Sequence, residues 1–150
     1  MRRYLVVANQ TLGGEELWGA IRERIAGGDC HFHLLVPATP AAQLDPGSTE
    51  EVAAEGGTGE DLGRRLARQR MRHELDRMRE LGASVSGEIG VADPVDAVRV
   101  VLHRWEFDEV ILSTLPGRRS RWLAADLPTK IRRGFKLQVT QVTGATVAKG

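Results

Sequence analysis

The chain has 150 residues with 21 basic and 20 acidic side chains, so it can bury roughly two thirds of its unfolded surface and has no net field that would attract nucleic acid. The single Cys30 excludes an internal disulfide and a thiolate metal site, and no apolar run is long enough to span a bilayer. With no signal-peptide core in MRRYLVVANQ, these features predict one domain in the cytoplasm, away from membranes.

The first elements along the chain have the pattern of a buried β-α-β unit. Residues 4–8, YLVVA, form a short apolar run without alternation, which is typical of a strand buried on both faces of a parallel sheet. Residues 14–26 carry apolar side chains at helical spacing, and the following Gly27 predicts the end of that helix. Residues 31–36, HFHLLV, predict a second strand that ends at Pro37.

A segment without periodicity follows, and then a long helix. Residues 38–59 are mostly Ala, Pro, Gly, Glu and Thr, which predicts a mobile loop. Residues 61–81 have helical spacing with this predicted buried stripe: Ala67, Met71, Leu75, Met78 and Leu81. The seven arginines of that segment alternate with acidic residues, so we interpret them as a solvated face rather than a nucleic-acid surface. Nucleic acid is therefore not an expected partner.

The next helix and its flanking strands are well marked. Residues 84–91 alternate as an exposed strand does, and Asp93 followed by Pro94 is typical of a helix start. The apolar face predicted for this helix consists of Ala97, Val98, Val101, Leu102 and Trp105. Residues 109–113 have a hydrophobic centre and predict a fourth strand.

Proline and glycine mark the last helix. It is predicted at residues 122–133, interrupted by Pro128 and ended by Gly134. Residues 137–142, LQVTQV, predict a fifth strand.

Strands that alternate with helices predict the α/β class. We expect one three-layer α/β/α domain with a mostly parallel, Rossmann-like sheet of five strands in the order 3-2-1-4-5. In such sheets ligands bind outside the carboxyl ends of the strands, where the strand order reverses. Residues 9–11 and 113–121, which follow strands one and four, therefore predict the two walls of one crevice.

The loop after strand four concentrates positive charge. Residues 117–136 include seven basic residues and one acidic residue, and the cations closest to the predicted crevice are Arg118, Arg119, Arg121 and Lys130. Arginine forks match phosphate oxygens, and Thr129 lies near the start of the helix that Pro128 opens, which is a natural anion site. The alternative is an ordinary solvated turn, with Asp126 capping the next helix.

Other polar residues give weaker patterns. His31 and His33 share one face of the second strand, but no other metal ligand accompanies them there, so packing or exposure is favoured over metal binding. Cys30 begins a buried strand and is interpreted as inert core. We find no nucleophile beside a base and no carboxylate pair of clear purpose, so the sequence offers no catalytic residue.

The segment DPVDAVRVVLHRWEFDEVILST and the order of the elements resemble the universal stress protein family of the HUP-type nucleotide-binding superfamily. The resemblance covers almost the whole chain, and residues 93–142 carry its most specific part. It implies that residues 1–150 form a domain of this type. Members that bind ATP have Gly-x-x-Gly after strand four, then nine residues, then Gly followed by Ser or Thr, and the backbone amides of that loop hold the nucleotide.

The sequence departs from this motif at all four positions. In the family register the motif falls on Ser113, Pro116, Asp126 and Leu127. A shift of one residue places Thr114 and Gly117 at the first two positions instead, but it leaves Leu127 and Pro128 at the last two. Proline has no N–H to donate to a phosphate, and leucine has no hydroxyl. Family members that bind ATP typically have Asp after the first strand, where this chain has Asn9.

The resemblance therefore implies a cytoplasmic stress-response domain with a degenerate nucleotide- or phosphate-binding loop, acting by binding or by partner interaction. One alternative is a genuine ATP- or AMP-binding protein with an altered loop. Another is a nucleotidyl- or phosphoryl-transfer enzyme of the same superfamily. ATP or another adenine nucleotide is the cofactor that either binding hypothesis implies. The candidate binding residues are Asn9, Thr11, Ser113, Thr114, Gly117, Arg118, Arg119, Ser120 and Thr129.

The resemblance also implies an assembly. In the family the fifth strand commonly pairs with its counterpart in a second copy. We therefore expect a homodimer through the fifth strand, with Val139 and Val142 at the pairing edge.

Overall fold

The computed structural model describes residues 1–8, 12, 14–38, 59–91, 93–114 and 127–144. In chain order its elements are β1 (Arg2–Val7), α1 (Glu15–Ala26), β2 (Cys30–Pro37), α2 (Gly59–Glu80), β3 (Ser84–Gly90), α3 (Pro94–Arg104), β4 (Glu109–Thr114), α4 (Leu127–Phe135) and β5 (Gln138–Thr143). The strands lie in the order β3-β2-β1-β4-β5, and every neighbouring pair is parallel. The predicted fold class and strand order are confirmed.

The sheet is built around β1, which has a buried neighbour on each side. Tyr4 is opposite Phe32 of β2 and opposite Glu109 of β4. Continuous apolar runs form these inner strands because the helices cover both faces of the sheet. The chain first leaves β1 toward β2 and later returns on the other side of β1 as β4. The strand order therefore reverses between β1 and β4, which sets the position of a ligand crevice at their carboxyl ends.

Each face of the sheet has its own hydrophobic core. Beneath α1 and α2, the core includes Val6, Phe32, Leu34, Leu17, Ile21 and Met78. Beneath α3 and α4, it includes Leu5, Leu35, Leu112, Val98, Leu127 and Ile131. Alternate residues of β1 and β2 contribute to opposite cores, as the two-residue period of a strand requires. The result is the three-layer arrangement that the sequence predicted.

Helix α2 differs from its prediction at two side chains. Leu81 was expected in the buried stripe, but it is 43% exposed because the helix ends at Glu80 and the chain turns at Gly82, whose φ is 86°. Glu74 was expected on a solvated face, but it is buried and pairs with Arg77 at 3.3 Å between Oε1 and Nη1. Burial raises the pKa of Glu74 above its ordinary value.

Helix α3 begins where the sequence predicted. The carboxylate of Asp93 accepts hydrogen bonds from the backbone N–H groups of Val95 at 2.9 Å and Asp96 at 3.2 Å. Trp105 was expected on the apolar face of this helix, and that prediction was wrong. The residue lies just beyond the helix in extended conformation, where it is 47% exposed and its ring faces the guanidinium of Arg3 at 5.9 Å.

Helix α4 opens at Pro128, as predicted for the helix that carries Thr129, but ends later than predicted. Pro128 is the second residue of α4, a position where no N–H is needed. Residues 122–126 of the predicted helix lie outside the described residues. Gly134 does not end α4, which continues to Phe135. Lys136 instead adopts the left-handed conformation, with φ of 53°, and its N–H donates to the carbonyl of Arg132 at 2.9 Å.

Strand β5 lies at one edge of the described sheet. Val139 is buried against the core beneath α3 and α4, and Val142 packs against the opposite core. Any pairing of β5 with a second copy would therefore use its main chain rather than these side chains. Among the helices of the described part of the chain, none combines the length and the hydrophobicity needed to cross a bilayer.

Candidate functional site

Two hydroxyl residues end β4, beside the position where the reversal of strand order predicts a ligand crevice. Ser113 and Thr114 end β4, and each is 2% exposed. Successive strand residues point to opposite faces of the sheet, so the two hydroxyls lie on different sides of β4. At 2% exposure, each side chain could offer a ligand only a small part of its surface.

Thr114 is fixed by contacts with the last strand. Its Oγ1 accepts a hydrogen bond from Nε2 of Gln141 at 3.5 Å, and its carbonyl accepts from the N–H of Gly144 at 3.0 Å. Ser113 also has an interaction partner. Both residues of the candidate set are therefore held by the fold at the end of β4 rather than left mobile in solvent.

Thr129 is the third residue of α4, close to the helix start that the sequence predicted for it. It is partly buried and borders a groove between α3 and α4, together with Val95 and Lys130. The structure thus separates the described candidates into two groups, with Ser113 and Thr114 at the end of β4 and Thr129 on the first turn of α4.

Leu127 begins α4 and is fully buried. It has 0% exposure and belongs to the core beneath α3 and α4, together with Leu112 and Ile131. In the register of the ATP-binding motif, this position would be a serine or threonine whose hydroxyl is available to the ligand. Here the position is occupied by an apolar side chain that packs into the interior, so this residue has no polar group to offer a nucleotide.

The remaining candidates lie outside the described residues, and their predicted roles stay predictions. They are Asn9, Thr11, Gly117, Arg118, Arg119 and Ser120.

A hydrogen-bonded chain between β2 and β3 is the largest polar feature that the sequence reasoning missed. Nδ1 and Nε2 of His31 lie 2.8 Å from the hydroxyls of Ser84 and Ser86, respectively. Nδ1 of His33 lies 2.7 Å from the same Ser86 hydroxyl, and its Nε2 lies 2.9 Å from Oε2 of Glu88. Alternating polar residues in both strands, HFH and SVSGE, were the available signal, but only the register of β2 with β3 pairs them.

The positions of the protons in this series of hydrogen bonds follow from Glu88, the acceptor at its end. An ionised Glu88, which also accepts from Arg104, can only accept, so Nε2 of His33 donates to it and Nδ1 accepts from Ser86. The Ser86 oxygen then accepts from Nε2 of His31. Both rings are thus fully paired when they are neutral. Burial, followed by the charges of Arg3 and His33, lowers the pKa of His31, which agrees with the neutral ring.

A buried ion pair lies at the opposite, amino edge of the sheet. Arg24 of α1 donates from Nε to Oε1 of Glu109 at 3.1 Å and from Nη2 to Oε2 at 2.7 Å, and the Thr140 hydroxyl also donates to Glu109. Burial alone raises the pKa of Glu109, but the hydrogen bonds from Arg24 and Thr140 outweigh it and hold the pKa below its ordinary value. This pair connects α1, β4 and β5.

The described residues bring together no metal-binding group of three or more His, Cys, Asp or Glu side chains. His31 and His33, the pair weighed as metal ligands, instead share the hydroxyl of Ser86 between them.

Comparison with solved structures identifies the fold. A universal stress protein in complex with cAMP is similar over 96% of this chain and 98% of that chain, with 15% identity and a TM-score of 0.54. A universal stress protein from Archaeoglobus fulgidus is similar over 95% and 93% of the two chains, with 14% identity and a TM-score of 0.53. A universal stress protein family protein from Arabidopsis thaliana with AMP bound covers 96% and 92%, with 10% identity and a TM-score of 0.60.

The similarity is one of structure. No family model and no curated protein matches the sequence. Because the identities to the solved structures are this low, the comparisons establish the fold, and function must be argued from the residues of this chain.

Proposed function

We propose that this protein, which has the fold of the universal stress proteins, binds phosphorylated ligands in the crevice between the carboxyl ends of β1 and β4, through a degenerate nucleotide site. Arginine side chains of residues 117–121 would supply the charge that backbone amides supply in the ATP-binding motif. The protein would then act in a stress response by binding a ligand or partner, rather than by catalysis.

The observation that supports a degenerate site is the burial of Leu127. The position that corresponds to the hydroxyl of the ATP-binding motif is 0% exposed and packed among apolar residues. A polar residue there would require a rearranged core. This packing supports the proposal that the shaped cradle is lost, in which case electrostatic attraction would be the main source of affinity for phosphate.

An adenine nucleotide is the ligand class that the comparisons favour. Two of the similar solved structures are complexes with cAMP and with AMP. This observation also supports the alternative, in which the chain is a genuine binder of ATP or AMP with an altered loop. The two hypotheses differ in how much the base and the ribose contribute to binding affinity. A genuine nucleotide site gains affinity from contacts with both, whereas a degenerate site that attracts phosphate by charge gains little from either.

Calorimetric titrations of ATP and tripolyphosphate at equal ionic strength separate these hypotheses. A degenerate site predicts similar affinities for the two ligands, and affinities that fall as salt is raised. The variant Arg118→Ala/Arg119→Ala should weaken both ligands about equally. A matched control is Arg72→Ala/Arg79→Ala, which removes the same charge from exposed positions in the second half of α2.

Two outcomes would contradict the proposal. Binding of ATP about tenfold or more tighter than tripolyphosphate, about 1.4 kcal/mol, would favour the genuine nucleotide binder. Equal anion binding by the wild type and the Arg118→Ala/Arg119→Ala variant would assign these arginines to the solvated surface. Mass spectrometry of small molecules released from the denatured protein gives an independent result, because a stoichiometric adenine nucleotide would also favour the alternative.

A further inference from the structure

A groove lies between α3 and α4 on the outer side of the layer that they form. Its volume is about 620 Å³, which is within the usual range of ligand-binding sites. The floor is apolar and includes Val95 and Val98 of α3 with Ile131 of α4. Val98 and Ile131 also belong to the core, at 1% and 2% exposure. The floor is therefore rigid, since its side chains are held from below.

The rim of the groove carries basic side chains from both helices. Arg99 stands on α3, and Lys130 and Arg133 stand on α4. All three are exposed. His103 of α3 instead packs edge-on against the ring of Phe135 of α4, with the ring centroids 5.6 Å apart. Basic side chains from both helices thus flank the apolar floor up to this contact.

The charge of the rim is largely uncompensated within the described part of the chain. Arg99 lies 3.6 Å from Asp96, an exposed pair that contributes little. The described residues provide no carboxylate partner for Lys130 or Arg133, and none of those that line the groove is acidic. The chain as a whole has a formal charge of +1, so this surface is basic because of its local composition.

The length of the groove matches a little more than one turn of a helix. Up to the contact between His103 and Phe135, its lining extends over residues 95–99 of α3 and 129–134 of α4, which at 1.5 Å per residue is about 6–8 Å. Gly134 also lines the groove, and a Cβ built on it meets no atom within 4 Å. This glycine leaves open space where another backbone can approach closely.

We propose that the groove between α3 and α4 docks an acidic amphipathic helix of a partner protein. The apolar stripe of one turn of that helix would lie on the floor, and carboxylates on either side of the stripe would meet Arg99 on one helix and Lys130 and Arg133 on the other. A flat anionic membrane could contact the rim but could not fill a concave floor. Docking of a helix in the groove does not require a ligand in the crevice.

The test uses a synthetic peptide of about 15 residues, since shorter isolated helices are marginal in water. Leucines spaced three and four residues apart form its apolar stripe, and glutamates flank the stripe. Fluorescence anisotropy should show saturable binding that weakens as salt is raised. A peptide with lysine at every glutamate position should bind at least about tenfold more weakly.

Two variants locate the binding to the groove. Gly134→Leu should weaken the peptide by about tenfold or more, because the new side chain occupies the groove, whereas Gly134→Ala should bind nearly as the wild type does. Since leucine and alanine are better helix formers than glycine, neither variant should lower the thermal midpoint. The charge reversal Arg99→Glu/Lys130→Glu should weaken binding to a similar extent, and its matched control is Arg72→Glu/Arg79→Glu on α2.

Three results would overturn the inference. One is no binding of the acidic peptide at about millimolar concentration. The second is binding that Gly134→Leu leaves unchanged. The third is binding to anionic lipid vesicles that depends on Arg99 and Lys130 while the peptide does not bind, since that would assign the surface to a membrane instead.

Discussion

Replacing Glu109 by glutamine should remove one charge from the buried pair that connects α1 with β4. The side chain of Glu109 is 5% exposed and that of Arg24 is 16% exposed. Glutamine has nearly the same shape, and its carbonyl oxygen can still accept one hydrogen bond, but it leaves the guanidinium without an opposite charge. The perturbation therefore tests electrostatics with little change in packing.

The expected loss of stability follows from this burial. Breaking a fully buried pair by removing one partner costs about 3–5 kcal/mol. Arg24 borders a water-accessible cavity of about 330 Å³ and also donates to the carbonyl of Ala20 at 3.0 Å, so it keeps part of its solvation. We expect Glu109→Gln to cost about 2–3 kcal/mol, which is at or below the lower limit of that range.

Urea unfolding followed by tryptophan fluorescence measures this loss, because Trp18 is buried beside α2. With a urea dependence of about 1–3 kcal/mol per M, a loss of about 2–3 kcal/mol should lower the midpoint by roughly 0.7–3 M. The double variant Arg24→Met/Glu109→Leu should recover most of the stability, since a buried ion pair can often be replaced by apolar residues without loss. With the single variants Arg24→Met and Glu109→Leu, this double variant completes a cycle whose coupling energy isolates the pair.

The same pair predicts a pH dependence. The pKa of Glu109 is lower in the folded protein than its unfolded value of about 4.3. Its stabilisation is therefore present above about pH 4.3 and is lost as the pH falls through the folded pKa. The difference between wild type and Glu109→Gln should shrink on acidification. If Glu109→Gln stays within about 0.5 kcal/mol of the wild type at pH 7, as a neutral surface substitution would, the reasoning is refuted.

Four further predictions concern packing, titration, assembly and mobility. Glu74→Gln should raise the urea midpoint more at pH 7 than at pH 4, because burial raises the pKa of this carboxyl and its ionisation with rising pH costs stability; the reverse order would contradict it. Gly90→Val should cost about 1–3 kcal/mol in thermal unfolding, since a Cβ there would lie 2.8 Å from that of Ala97, and an unchanged midpoint would refute this packing. Light scattering should give twice the mass of the 16.4 kDa chain, and a monomer at micromolar concentration would exclude the homodimer. Limited proteolysis should cut first within residues 41–58, whereas early cleavage within α2 would show that the predicted mobile loop is misplaced.

Strong local patterns made the order of elements predictable. The backbone is restricted within a few residues by the apolar runs of β1 and β4 and by the Asp93-Pro94 start of α3. Strands then alternate with helices along the chain, and the right-handed crossover rule limits the topologies that this order allows. The same rules predicted a crevice at the carboxyl ends of β1 and β4. The end of α4 was mispredicted because glycine is tolerated inside a short helix, and Lys136 could take the left-handed turn instead.

The sequence by itself therefore determined the α/β class, the strand order and the concentration of positive charge after β4, since these depend on periodicity, turn residues and composition. Only the tertiary structure determined which side chains meet. The register of β2 with β3 joins His31 and His33 to serines more than fifty residues away, and the packing of α1 beside β4 and β5 pairs Arg24 with Glu109 and Thr140. Burial of Glu74 and Leu127 likewise depends on neighbours distant in the chain. The sequence around a polar residue is the same whether water or a residue distant in the chain forms its hydrogen bonds. Which of the two does so is determined only when the layers pack.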